Sequence, residues 1–242
     1  MKNLLIAMVF SVSLVVYAGC TNEGSSKSAD SMSSASARNM ADTRVSPAQA
    51  LRQDMRKLWS EHVIWTRDYI VAAIADSDDQ QAAAGRLMKN QEDIGKAISH
   101  YYGAAAGEKL TGLLKEHIQI AVELIKAGKA DDKGLVESTN RRWHENAEQI
   151  ATFLSQANPN WPRATLSEMM RKHLSTTTDE VMARLHKDWN GDVKAFDAVY
   201  NHILMMADAQ SDGIIKQFPD KFSGNTATAK SDTSASSIDK NG

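Results

Sequence analysis

The chain has 242 residues, with 28 Lys and Arg against 30 Asp and Glu, a net charge of −2. The two signs are interspersed and no basic block stands out, which excludes a nucleic-acid surface. Cys20 is the only cysteine, so neither an intrachain disulfide nor a thiolate metal site is available; with only four prolines and glycines that sit mainly between apolar segments, the composition is that of an all-helical protein.

In chain order, residues 1–19 read as a signal peptide. Lys2 supplies the positive start, and Leu4 to Gly19 is an apolar run of signal-peptide rather than membrane-span length. Ala18-Gly19-Cys20 resembles the bacterial lipobox, with Tyr17 where leucine is usual. That resemblance implies a lipid on Cys20, which becomes the first mature residue and anchors the protein to a membrane. Residues 20–45 follow as a Ser-rich flexible tether. The expected location is therefore extracytoplasmic.

Ser46-Pro47 opens the folded region as N-cap and first helical residue. Helix 1 runs to about Ala75 with a seam of Leu51, Met55, Leu58, His62, Trp65, Tyr69 and Ala73. Asp76-Ser77-Asp78 turns the chain into helix 2, which carries Leu87, Asn90, Gln91, Ile94 and Ile98; Gly103 and Gly107 are expected to break it from the next unit. Helix 3 is expected over 108–127 with His117 on its seam, and Gly128 to Gly134 is the turn. Helix 4 carries Thr139, Trp143, Asn146 and Ile150, and ends at Asn158-Pro159-Asn160-Trp161-Pro162. Helix 5 covers about 164–187 with His173, Trp189-Asn190-Gly191 is read as the third turn, and helix 6 carries Val199, His202 and Met206 to Phe218-Pro219. Residues 223–242, SGNTATAKSDTSASSIDKNG, hold one Ile and no aromatic, too little apolar surface to offset the entropy of ordering, and are expected to be disordered.

These segments repeat. His62, His117 and His173 are 55 and 56 residues apart, and Asn90, Asn146 and His202 follow at a constant 56. The predicted architecture is an all-α, six-helix bundle of three repeated antiparallel hairpins, 46–103, 107–158 and 163–219, in a domain spanning 46–222. The midpoints of 62/90, 117/146 and 173/202 fall in or beside the three turns, so each His is expected to face its Asn or His partner within a polar layer inside the core.

Two readings of that layer stay open. In one, each pair is a buried hydrogen bond inherited by duplication that fixes helix register, as buried polar residues do in coiled coils, and the protein is a structural or interaction module. In the other, His62, His117, His173 and His202 converge on a Zn or Cu ion with Asn90 and Asn146 behind them, and the protein is a non-enzymatic binding protein. Met169-Met170 and Met205-Met206 near His173 and His202 would suit Cu(I). Helical metal signatures such as Glu-x-x-His and His-Glu-x-x-His are absent, as are a nucleophile elbow and a phosphate loop, so no enzyme is expected. The protein partner, if there is one, has no signature.

The stretches LWSEHVIWTRDYI, LLKEHIQIAVELI, NPNWP and IIKQFPDKF resemble a family of uncharacterised bacterial helical proteins over roughly residues 50–222. Its members often carry automatic labels such as glycosyltransferase or acetylglutamate kinase. The resemblance implies the helical fold and transfers no site residue. Neither label suits this chain, because such enzymes need alternating strands and helices.

Overall fold

The computed structural model describes residues 45–223. The expected signal peptide, Cys20 with its tether through residue 44, and the tail from residue 224 lie outside the described residues. Within them the chain is all-helical, with six long helices and one short one: α1 Pro47–Ala75, α2 Gln80–Tyr102, α3 Ala104–Lys129, α4 Lys133–Ala157, α5 Arg163–Leu185, α6 Trp189–Gln217 and α7 Pro219–Phe222. No described helix is long and apolar enough to cross a membrane.

The helix ends follow from local chemistry. Ser46 and Gln49 form a reciprocal capping box at α1, with Pro47 as the first helical residue. Asp132 caps α4 by accepting the Leu135 N–H, and Asp188 caps α6 by accepting the Gly191 N–H. The three hairpin turns share one geometry. Asp76, Asp131 and Lys187 occupy the left-handed region, with φ of 55°, 53° and 60°. The next N–H in each case, from Ser77, Asp132 and Asp188, reaches back to Ala72 O, Ala127 O and Ala183 O at 2.9, 3.1 and 2.9 Å. This is the Schellman hydrogen bond that satisfies the last carbonyls of a helix.

Two glycines act otherwise than the sequence suggested. Gly107 does not break a helix; it lies inside α3, and only Gly103, at φ 86°, separates α2 from α3. A Cβ on Gly107 would lie 2.6 Å from Gly95 O, and one on Gly95 would lie 2.7 Å from Gly107 O, so the pair lets α2 and α3 cross in close contact. Gly191 is not a turn residue either. The third turn is at His186–Asp188, and Trp189-Asn190-Gly191 is the first turn of α6.

Each long helix packs against the next in the chain, and α1 also packs against α6, which closes the circuit. Side-chain pairs give the direction. Arg86–Glu61 and Asn90–Leu58 link α1 to α2 with numbers rising on one helix as they fall on the other; Glu92–Lys115 with Gly95–Gly107 does so for α2 and α3, and Glu123–Arg142 with Leu113–Asn146 for α3 and α4. Arg52–Asp212 and Arg56–Asp208 join α1 to α6 in the same antiparallel sense. The interior is one main apolar cluster containing Met55, Val63, Ile94, Leu114, Ile150, Leu174 and Ile203, with a smaller cluster of Tyr69, Ile70, Ala73, Ala83 and Ile125 near the first turn.

The NPNWP segment closes the end away from the hairpin turns. Buried Asn158 donates to Tyr102 Oη at 2.8 Å, Tyr102 donates to Gln217 Oε1, and Gln217 donates to Ala157 O. Trp161 lies against Gly213, where any side chain would collide with its indole, and donates to Ala209 O.

Candidate functional site

All six singled-out polar residues are buried: His62, Asn90, His117, Asn146, His173 and His202. They do not pair uniformly. His117 and Asn146 bond directly, Nδ1 to Oδ1 at 2.8 Å. His62 meets Gln91 rather than Asn90, Nδ1 to Nε2 at 3.2 Å. His173 and His202 make no mutual hydrogen bond; the Nδ1 of His173 is buried without a partner, and His202 Nε2–H donates to Met169 O at 2.8 Å.

A different regularity does run through all three helix pairs. Asn90 Nδ2 donates to Leu58 O at 3.0 Å and Asn146 Nδ2 to Leu113 O at 3.1 Å, and His202 makes the equivalent bond to Met169 O. Each acceptor is the carbonyl four residues before the conserved-spacing histidine of the facing helix, so a side chain of the second helix fastens the backbone of the first at one level.

The histidines of α1, α3 and α5 come together. The His62 and His173 ring centroids are 5.7 Å apart and those of His117 and His173 are 6.2 Å apart. Burial keeps all three neutral. It lowers His62 to about 3, helped by the nearby His117 and opposed by the Gln91 hydrogen bond. It lowers His117 to about 4 against the Asn146 bond, and it pushes His173 well below the ordinary imidazole value with the other three rings adding to the shift.

The hydrogen bonds fix two tautomers. Asn146 gives its amide N–H to Leu113 O, so its Oδ1 faces His117 Nδ1, which must carry the proton; His117 Nε2 is then a bare acceptor, buried and unpartnered. Gln91 Nε2 lies against Leu87 O and Asn90 Oδ1, which forbids the flipped amide, so His62 Nδ1 accepts and its proton sits on Nε2.

The three rings separate two cavities. On the side of the hairpin turns is a cavity of about 260 Å³, walled by α1, α3, α4 and α5 with apolar side chains such as Ile118, Leu124, Val136 and Val181. On the other side, toward Trp59, Met170 and Gln210, is a smaller space of about 20 Å³. Besides the histidines, Thr177 and Trp143 line the larger cavity, their Oγ1 and Nε1 buried without partners and with almost no surface open to it, and its only other ionisable side chain is Glu137 at the mouth. Thr176 and Thr178 bond back to their own helix carbonyls, while Thr177 does not.

The donor set is not disposed as a Zn or Cu shell. Among the described residues no group of three or more His, Cys, Asp or Glu side chains is placed to hold a metal ion. The His117 and His173 rings lie within 26° of parallel rather than splayed about a point, and the Nε2 of His202 is spent on a carbonyl. Of the methionines, Met170 and Met206 line the small cavity, but Met205 is 58 % exposed and faces away.

One polar group had no signal in the 56-residue period. Arg67 of α1 binds Glu180 of α5 at 2.7 Å and both oxygens of Asp192 of α6 at 2.9 Å, and Arg184 adds a further contact to Asp192 at 3.0 Å. Burial pushes Glu180 up to about 7 against the pull of Arg67, whereas Asp192, despite burial, is held low by Arg67 and Arg184. Gln91 was likewise overshadowed by its neighbour Asn90, which carries the period. Comparison with known proteins finds no matching family model, curated protein or solved structure.

Proposed function

We propose that this chain is a non-enzymatic binding protein of the cell envelope, held to a membrane through a lipid on Cys20, whose domain is a six-helix bundle of three repeated hairpins and whose ligand occupies the cavity floored by His62, His117 and His173. The repeat is supported by the three Schellman turns and the three fastening hydrogen bonds, each set spaced by 55 or 56 residues. The binding reading rests on one observation: an apolar cavity of about 260 Å³ ends on neutral imidazoles, beside buried polar atoms that the protein itself leaves unsatisfied. Such atoms ordinarily find a partner, and an apolar pocket with a few convergent polar groups is the usual form of a small-molecule site. The near-parallel His117 and His173 rings and the engaged His202 Nε2 favour a neutral small molecule over Zn or Cu.

Thermal unfolding with small apolar compounds, Zn and Cu(I) tests this. A compound that enters the cavity raises the Tm of the wild type and not of Val181→Trp, which fills the cavity and leaves the histidines in place. Stoichiometric metal on untagged protein, lost in the His62→Ala/His117→Ala/His173→Ala variant, would replace the small-molecule reading with the metal one.

The second reading is a structural module whose polar layer sets helix register. It is favoured by the threefold bond to Leu58 O, Leu113 O and Met169 O. A Tm that no ligand moves, together with a large loss on removing Asn146, would select it.

A further inference from the structure

The larger cavity has a shape as well as a volume, and its shape points to a class of ligand, an inference that rests on the binding reading above. The lining runs from His117 to Gly128 along α3 and from His173 to Leu185 along α5, a span of roughly 16–18 Å at 1.5 Å per residue. About 260 Å³ spread over that length is a narrow bore. At the packing density of protein interiors it holds roughly ten carbon atoms. Its wall is apolar in effect even where the residues are polar. His117 Nε2, His173 Nδ1, Trp143 Nε1 and Thr177 Oγ1 are unpartnered, but each is covered and has almost no open surface, so none of the four can meet an occupant. The imidazoles border the smaller space as well, and so stand as a partition at the inner end.

The exposed members of the lining are Glu137 of α4 and Thr178 and Met182 of α5, which mark the mouth. Glu137 pairs with Arg141 one turn on, at 3.2 Å with both groups in water, and the Thr178 hydroxyl bonds back to Leu174 O. The mouth therefore makes no strong demand for a charge of either sign. It lies in a gap between two helices. The side chains of α4 and α5 are joined at Glu148, which accepts from Ser167 at 2.8 Å and lies 3.7 Å from Arg163 and from Arg171. From Glu148 toward the turns, no side-chain hydrogen bond or ion pair links them among the described residues.

We propose that the cavity takes the hydrocarbon chain of a free single-chain amphiphile, which enters tail first between α4 and α5 and leaves its head group in water beside Glu137 and Thr178. The neutral body inside the protein is then the tail alone. A charged end drawn inside would lose its water with no counter-charge in reach, since no Lys or Arg lines the space. The same end left at the mouth keeps its water, while each methylene gains by leaving its own.

The test titrates the full chain at pH 7.5 with alkyl trimethylammonium salts, alkyl sulfates and alkyl glucosides below their micellar concentrations, and with n-decane, read by calorimetry and Trp fluorescence. Each methylene should tighten binding about fourfold until the tail reaches roughly ten carbons, beyond which added methylenes should change nothing. At equal chain length the three heads should differ by less than about tenfold, as exposed charges do, and a tail that ends in a hydroxyl should bind more weakly than a plain one. Val181→Trp, whose indole fills the bore, should lose the whole series; where that variant does not fold, the break in chain-length dependence decides. Affinity that climbs unbroken well past that length, one head preferred by more than about a hundredfold, or a hydroxyl-ended tail binding more tightly would overturn the tail-first assignment. If decane binds and no amphiphile does, the amphiphile proposal falls and the cavity remains a site for small apolar molecules. If nothing binds, decane included, the binding reading itself fails.

Discussion

Asn146 carries two jobs with one amide. Its oxygen takes the His117 Nδ1 proton and its nitrogen fastens Leu113 O. Asn146→Leu keeps the volume and removes both bonds, leaving a buried N–H exposed to nothing. The expected loss is about 3 kcal/mol, at one to three kcal/mol for each buried polar group left unmade, measured as a fall in the urea midpoint at constant slope. The three neutral imidazoles make a second prediction. Each titrates near 6.5 in the unfolded chain, but His62 and His117 wait until about 3 and 4 in the folded one, and His173 is also held low. Below pH 6.5 the unfolded state therefore binds more protons, and stability falls with pH at up to ~1.4 kcal/mol per unit for each histidine. Glu180 opposes this. Its folded value near 7 lies above the ordinary carboxylate range, so its contribution is present at low pH and fades as pH rises toward 7. Three protons outweigh one. Urea midpoints between pH 7 and 4.5 should fall steeply, and His173→Gln should flatten the dependence by about one His.

At the scale of the helix, the apolar seams were largely legible because a 3.6-residue period states which face is buried: Leu51, Met55, His62, Tyr69 and Ala73 of the α1 seam are buried, whereas Leu58 and Trp65 are half-buried and Trp59, outside the seam, is buried instead. The polar layer was legible from its spacing. What each member touches was not. Gln91 displaced Asn90 as the partner of His62 through a difference of one residue in rotation about α2, which periodicity does not resolve. Gly107 and Gly191 looked like breaks because glycine disfavours helices, yet the first is required by a neighbouring backbone and the second by the Asp188 cap, neither of which is local pattern. The cavity was invisible because it is a deficit of volume among residues that each look like core. The turns supply a prediction of their own. Lys187 holds the left-handed conformation that Asp76 and Asp131 hold in the other two turns, without their short polar side chain. Lys187→Gly should raise stability by about 0.5–1 kcal/mol, and Asp131→Gly by less, read from the same denaturation curves.

In the whole molecule, α1 and α6 pack along each other although they are not consecutive in the chain. Arg52–Asp212 and Arg56–Asp208 lie along their join, Trp59 donates to Gln210, and the half-buried Arg67 with its buried carboxylates ties them to α5 near the hairpin turns. The short α7 returns beside Tyr101, whose ring stacks on Phe222. The first and last long helices among the described residues thus share one seam with no chain connection across it. A rewired gene follows from this. Joining residue 223 to residue 45 by a short Gly-Ser bridge and opening the chain between Asp131 and Asp132 would give a protein with new ends, the same helical CD spectrum and the same cooperative slope in urea.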